Sequence, residues 1–133
     1  MNRTTFLTAV AVVAGTIGLF ALVLPDVLLV AVKHAEPNPA ALVMTRTVGV
    51  LLITMGVLNA LVRSHSNSPT LRAVLAANLV LQVAIAPIDP LAWLDGTFHT
   101  LGSFLPNTGL HIALAAGFGV LLWRARPAES AQT

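Results

Sequence analysis

Residues 5–24 carry no charge at all, and a proline at position 25, followed by Asp26, ends the run. About 20 apolar residues are what a helix needs to cross the hydrocarbon layer of a bilayer. Three further stretches repeat the pattern, at about 40–62, 71–88 and 107–123, with Arg46 the one charge inside the second. Helices are the expected solution, because lipid offers no partner to an unpaired backbone group. The sequence therefore predicts an all-α fold, a four-transmembrane-helix bundle in antiparallel up-down order, forming a single integral membrane domain over 1–133. A short polar tail over 124–133 is expected to be disordered. The first stretch exceeds the apolar region of a normal signal peptide and lacks a cleavage pattern, so an uncleaved helix is predicted.

Composition closes off the other classes. Only 9% of the 133 residues are charged, against about 25% in an ordinary soluble domain. The absence of cysteine removes disulfide scaffolds, thiolate nucleophiles and iron–sulfur ligation. A pI of about 10.6 reflects an excess of two positive charges among few titrating groups. No basic stripe with interleaved aromatics occurs, so no nucleic-acid partner is expected. A strong preference for Arg over Lys in an Ala/Val/Leu-rich chain points to a bacterial source.

Orientation follows from the basic residues. In a four-span order, Arg3, Arg63, Arg72, Arg124 and Arg126 share one side. Lys33 and Arg46 lie on the other, with Asp26, Glu36, Asp89 and Asp95. The N- and C-termini are then cytoplasmic, and the localisation is a bacterial inner membrane. The outer stretches 25–39 and 89–106 are apolar, and 89–106 reads as a loop or short helix lying against the outer leaflet. Trp93, Phe98 and Phe104 suit the interfacial belt there, and Trp123 suits the opposite one.

Small residues recur at helical spacing: Thr8, Ala11, Gly15 and Gly18 on the first helix, and Gly49, Gly56 and Ala60, on one stripe with Arg46 and Ile53, on the second. The fourth repeats the device with Ala113–Gly117 and Ala115–Gly119. Such faces let helix backbones approach closely.

Polar residues inside a span carry the functional reading. Arg46 is costly in hydrocarbon, so it either snorkels to the headgroups or pairs with Asp89 or Asp95. Asn78, Gln82 and Asp89 share one face of the third helix and are expected to face the bundle interior. His111 lies one turn into the fourth helix, with His99 in the connection before it. The ligand-binding set predicted from the sequence is Arg46, Asn78, Gln82, Asp89, Asp95, His99 and His111. Of these, Arg46, Asn78, Gln82, Asp89 and His111 are expected to converge in the outer half of the bundle. No metal site is predicted, since no two ligands show the i, i+4 spacing of a helical site. No cofactor fingerprint occurs, and haem would need a second intramembrane histidine.

The segment Arg46-Thr-Val-Gly49-Val-Leu-Leu-Ile-Thr-Met-Gly56 resembles the R-x-x-G-x6-G pattern of small DoxX-like bacterial membrane proteins. The link Ser68-Pro-Thr-Leu-Arg72, followed by Asn78, is similar to uncharacterised four-helix families of that layout. The DoxX glycine pattern usually opens the first helix, whereas here it lies on the second. The resemblance implies a four-helix membrane fold, and some such relatives are linked to oxidoreductase systems.

The leading functional expectation is a non-catalytic accessory subunit, or a binder of a small hydrophobic or amphipathic molecule. Its partners would be the lipid bilayer and a further copy or another membrane subunit. The alternative is a membrane enzyme, an isomerase, cyclase or hydrolase acting on a lipophilic substrate. Asp89 and His111 would then be acid/base candidates, Arg46 an electrostatic clamp, and Asn78 and Gln82 orienting groups. A small transporter ranks third, because no carboxylate lies deep in a span.

Overall fold

The structure is a computed structural model that describes residues 2–125. The described residues are all helical apart from their connections, with no strand, and four helices are long and apolar enough to cross a membrane. The membrane-spanning character expected from the hydropathy pattern is therefore present in the fold. Beyond Ala125 the predicted polar tail lies outside the described residues.

Polar caps start three of the four spans. Asn2 Oδ1 accepts from Thr4 N at 2.9 Å to open α1 (Arg3–Val23). Pro25 begins a single turn, α2 (Pro25–Val27), which runs into a π-helical turn, Leu28–Val32. Asn38 Oδ1 accepts from Ala41 N at 2.9 Å at the start of α3 (Pro39–Val62). Ser68 Oγ does the same from Leu71 N at 3.1 Å for α4 (Pro69–Ile85). In α3 and α4 the cap precedes a proline whose missing N–H costs nothing in a first turn. Hydropathy alone places these starts inside the true ones, because a cap is polar by necessity.

The third span departs from expectation at its far end. α4 stops at Ile85 rather than 88, and the chain restarts after Pro87 as a short helix, α5 (Ile88–Leu94). The expected short helix in the 89–106 stretch is thus present, followed by one 3-10 turn at Leu101–Ser103 before α6 (Leu105–Arg124). Trp93 is exposed as an interfacial ring should be, but Phe104 is buried and stacks beside it at 5.5 Å between centroids.

The closest packing is pairwise, α1 with α3 and α4 with α6. Glycine makes the first pair. A Cβ on Gly18 would lie 2.7 Å from the Gly49 carbonyl oxygen, and one on Gly49 would lie 2.7 Å from the Gly18 oxygen. Gly56 meets the Ala11 oxygen and Gly15 nitrogen at 3.0 and 3.2 Å by the same measure. The small faces expected on these two helices are the faces that touch.

The two pairs join through an apolar core at one end. Leu7, Leu71, Leu75 and Phe118 are essentially sealed from solvent there. The Phe6 and Phe118 rings meet edge to face at 5.2 Å, a favoured aromatic geometry. Arg3 belongs to the same end: Nη1 donates to Asn67 Oδ1 at 2.5 Å and Nη2 to the His65 carbonyl oxygen. Thr4 Oγ1 donates to the Arg63 carbonyl at 3.2 Å. These bonds tie the start of α1 to the link between α3 and α4.

Candidate functional site

Next to that core the bundle does not close. A cavity of about 80 Å³ lies among α1, α3, α4 and α6. Its apolar side comes from Val13, Ile17, Leu52, Met55, Leu81 and Leu114. Its polar side is Asn59, Asn78, Gln82, Asn107 and His111. A lining of apolar area with a few convergent polar groups is the usual form of a small-molecule site.

The polar side is built from two amide-centred pairs. Asn59 Nδ2 donates to Asn78 Oδ1 at 3.0 Å, bridging α3 and α4. Each of these asparagines also donates to the carbonyl one turn back, Asn59 to Met55 and Asn78 to Val74, both at 2.9 Å. The second pair joins α4 and α6, where Gln82 Oε1 and His111 Nδ1 lie 2.6 Å apart. Gln82 Oε1 is a carbonyl oxygen and accepts, so His111 Nδ1 carries the hydrogen and, in the neutral ring, Nε2 is left as an acceptor.

Among the described residues, one fully buried polar atom in this wall lacks a partner. Asn59 is fully buried, yet its Oδ1 accepts no hydrogen bond. Leaving a buried acceptor unsatisfied costs about 1–3 kcal/mol. Asn59 lines the cavity, and a small donor that reached Oδ1 from there, water included, would relieve that cost.

Asn107 links the cavity to a second cluster. Its Nδ2 donates to Asp89 Oδ2 at 2.8 Å. The same carboxylate oxygen takes the Lys33 ammonium in an ion pair, and Lys33 Nζ also sits 5.4 Å from the Phe98 ring centroid. Lys33 follows the π-helical turn and Asp89 is in the first turn of α5, so the pair clamps two connections together. The cavity thus lies between the apolar core at one end and this clamp at the other.

The predicted set is partly assembled. Asn78, Gln82 and His111 line one cavity, and Asp89 reaches it through Asn107. Arg46 does not join them: it is exposed on α3, and among the described residues no hydrogen bond or ion pair connects it to Asp89 or Asp95. Lys33 takes the place that the sequence reading gave to Arg46. Asp95 is exposed and spends Oδ1 on its own turn, accepting from Thr97 N at 3.1 Å and Thr97 Oγ1 at 2.8 Å. His99 is exposed in the connection after α5. Asp89 and His111 share no hydrogen bond, and no three His, Asp or Glu side chains among the described residues gather as metal ligands.

Asn59, Asn107 and Lys33 are missing from the sequence-derived set. For the two amides a signal existed: an amide inside an apolar span must find a partner within the bundle. For Lys33 none existed, since its position depends on how the 25–38 connection folds. Compared with family models, with curated proteins and with solved structures, the chain finds no match in any of the three.

Proposed function

We propose that this chain is a non-catalytic membrane protein that binds a small amphipathic molecule in the cavity among its four spans. The observation that carries this is Asn59 Oδ1, a buried acceptor without a partner among the described residues, on a residue that lines the polar side of the chamber. A cavity of about 80 Å³ is roughly half of the 150 Å³ that accommodates benzene. The occupant is therefore a molecule of a few heavy atoms with one donor and one apolar side, the size of a short-chain alcohol. A larger ligand requires the α1–α3 pair to part from the α4–α6 pair. Asp89 is occupied by Lys33 and Asn107, which favours binding over an Asp89–His111 acid/base reaction.

The spans are proposed to cross in up-down order. Gly18 faces Gly49 while Ala11 and Gly15 face Gly56, so residue numbers fall along α1 as they rise along α3. With Arg3, Arg63 and Arg72 on one side, the excess of basic residues supports cytoplasmic termini in a bacterial inner membrane. The Arg46–Gly49–Gly56 segment supports a DoxX-like kinship, and exposed apolar residues such as Leu51, Leu61 and Val80 suit lipid or a partner subunit.

The test uses the protein in lipid nanodiscs with 1-propanol as the probe. Saturation-transfer NMR is expected to show protein-to-propanol transfer that Asn59→Leu abolishes. Equal transfer in the wild type and in this variant would overturn the reading.

A further inference from the structure

A second concavity lies at the arginine end, outside the bundle and separate from the central cavity. It is a groove of about 500 Å³ on the outer face of the α4–α6 pair. Arg72 and Trp123 stand at its mouth, in the first turn of α4 and the last turn of α6. Ala73 and Leu122 stand beside them, and one turn deeper the walls are Ala76 and Gly119, small or aliphatic throughout.

We infer that this groove binds an anionic phospholipid, its phosphate on Arg72 and the start of an acyl chain along Ala76 and Gly119. Three observations support this occupant. Arg72 Nε is shielded from solvent and has no hydrogen-bond partner among the described residues. Among the described residues the carboxylates lie elsewhere: Asp26, Glu36, Asp89 and Asp95 are in the connections 25–38 and 86–104, away from the Arg3–Arg63–Arg72 end. The guanidinium presents a planar fork of donors suited to phosphate. Finally, the order of groups matches a lipid: charge and an interfacial tryptophan at the span boundary, apolar small residues below it. Basic pockets between transmembrane helices hold lipid headgroups by this arrangement, and a zwitterionic lipid would gain less from it. The inference is independent of the central cavity and of what occupies it.

Native mass spectrometry of the full chain, released from micelles containing phosphatidylglycerol and phosphatidylcholine in equal amounts, tests it. One phosphatidylglycerol is expected to be retained in preference to phosphatidylcholine. Arg72→Gln is expected to lower that retention about fivefold, the worth of one basic group near a charged surface, and Arg72→Lys to restore most of it. A Cβ at Gly119 meets nothing within 4 Å and Gly119 lines the groove, so Gly119→Leu is expected to crowd the groove and displace the lipid. Equal retention of both lipids, or phosphatidylglycerol retention unchanged in Arg72→Gln and Gly119→Leu, overturns the inference. So does a dimer that Gly119→Leu dissociates, since the groove then belongs to a second copy.

Discussion

His111 Nδ1 and Gln82 Oε1 stand 2.6 Å apart across the α4–α6 contact. They are one of two side-chain bridges between helices on the polar side of the cavity. Interhelical hydrogen bonds in membranes average about 0.6 kcal/mol and rarely exceed about 1.7. A double-mutant cycle of Gln82→Leu and His111→Leu, followed by unfolding in mixed micelles, is expected to give a coupling in that range. A coupling near zero would mean that the two side chains do not pair in the membrane.

The α1–α3 contact predicts a contrast between glycines. Gly49→Ala drives a Cβ to within 2.7 Å of the Gly18 oxygen and 2.8 Å of the Leu22 nitrogen, both backbone atoms that cannot step aside. Overpacking of this kind costs about 1–3 kcal/mol. Gly109→Ala, whose Cβ meets nothing within 4 Å, should be neutral or stabilising by up to about 1 kcal/mol through helix propensity. Thermal unfolding of the two variants side by side checks the order.

The Lys33–Asp89 pair is largely withdrawn from solvent, at 21% and 13% side-chain exposure. Removing one partner of such a pair costs more than the pair contributes, because the other charge is left behind. Lys33→Met is therefore expected to lower the melting temperature more than the double variant Lys33→Met/Asp89→Asn. If the double variant is the less stable of the two, the cluster does not act as a charge pair.

The spans were legible because hydrophobic length is a property of the chain alone. The glycine faces of α1 and α3 were legible for a related reason, since small residues in lipid have one main use. Pairing was not. A helical wheel gives the face on which Arg46 stands but not the neighbour that the face meets. Asp89 took Lys33 instead, because the π-helical turn and its following residues deliver that ammonium to α5. The end of α4 was missed by a similar margin, where Pro87 turns an apparently continuous apolar run into α4 and α5. Of the cavity's polar side, Asn78, Gln82 and His111 were readable in the sequence, and Asn59 carried the same signal.

The central claim is that Asn59 Oδ1 receives a small amphipathic molecule inside the bundle. The most direct measurement is a titration of the side-chain amide resonances of Asn59 and Asn78 with 1-propanol, in nanodiscs. The account predicts saturable shifts at both side chains, and no such shift at Asn78 in the Asn59→Leu variant. A linear, unsaturating shift shared with lipid-facing residues would mean that the alcohol only partitions into the bilayer, and it would contradict the claim.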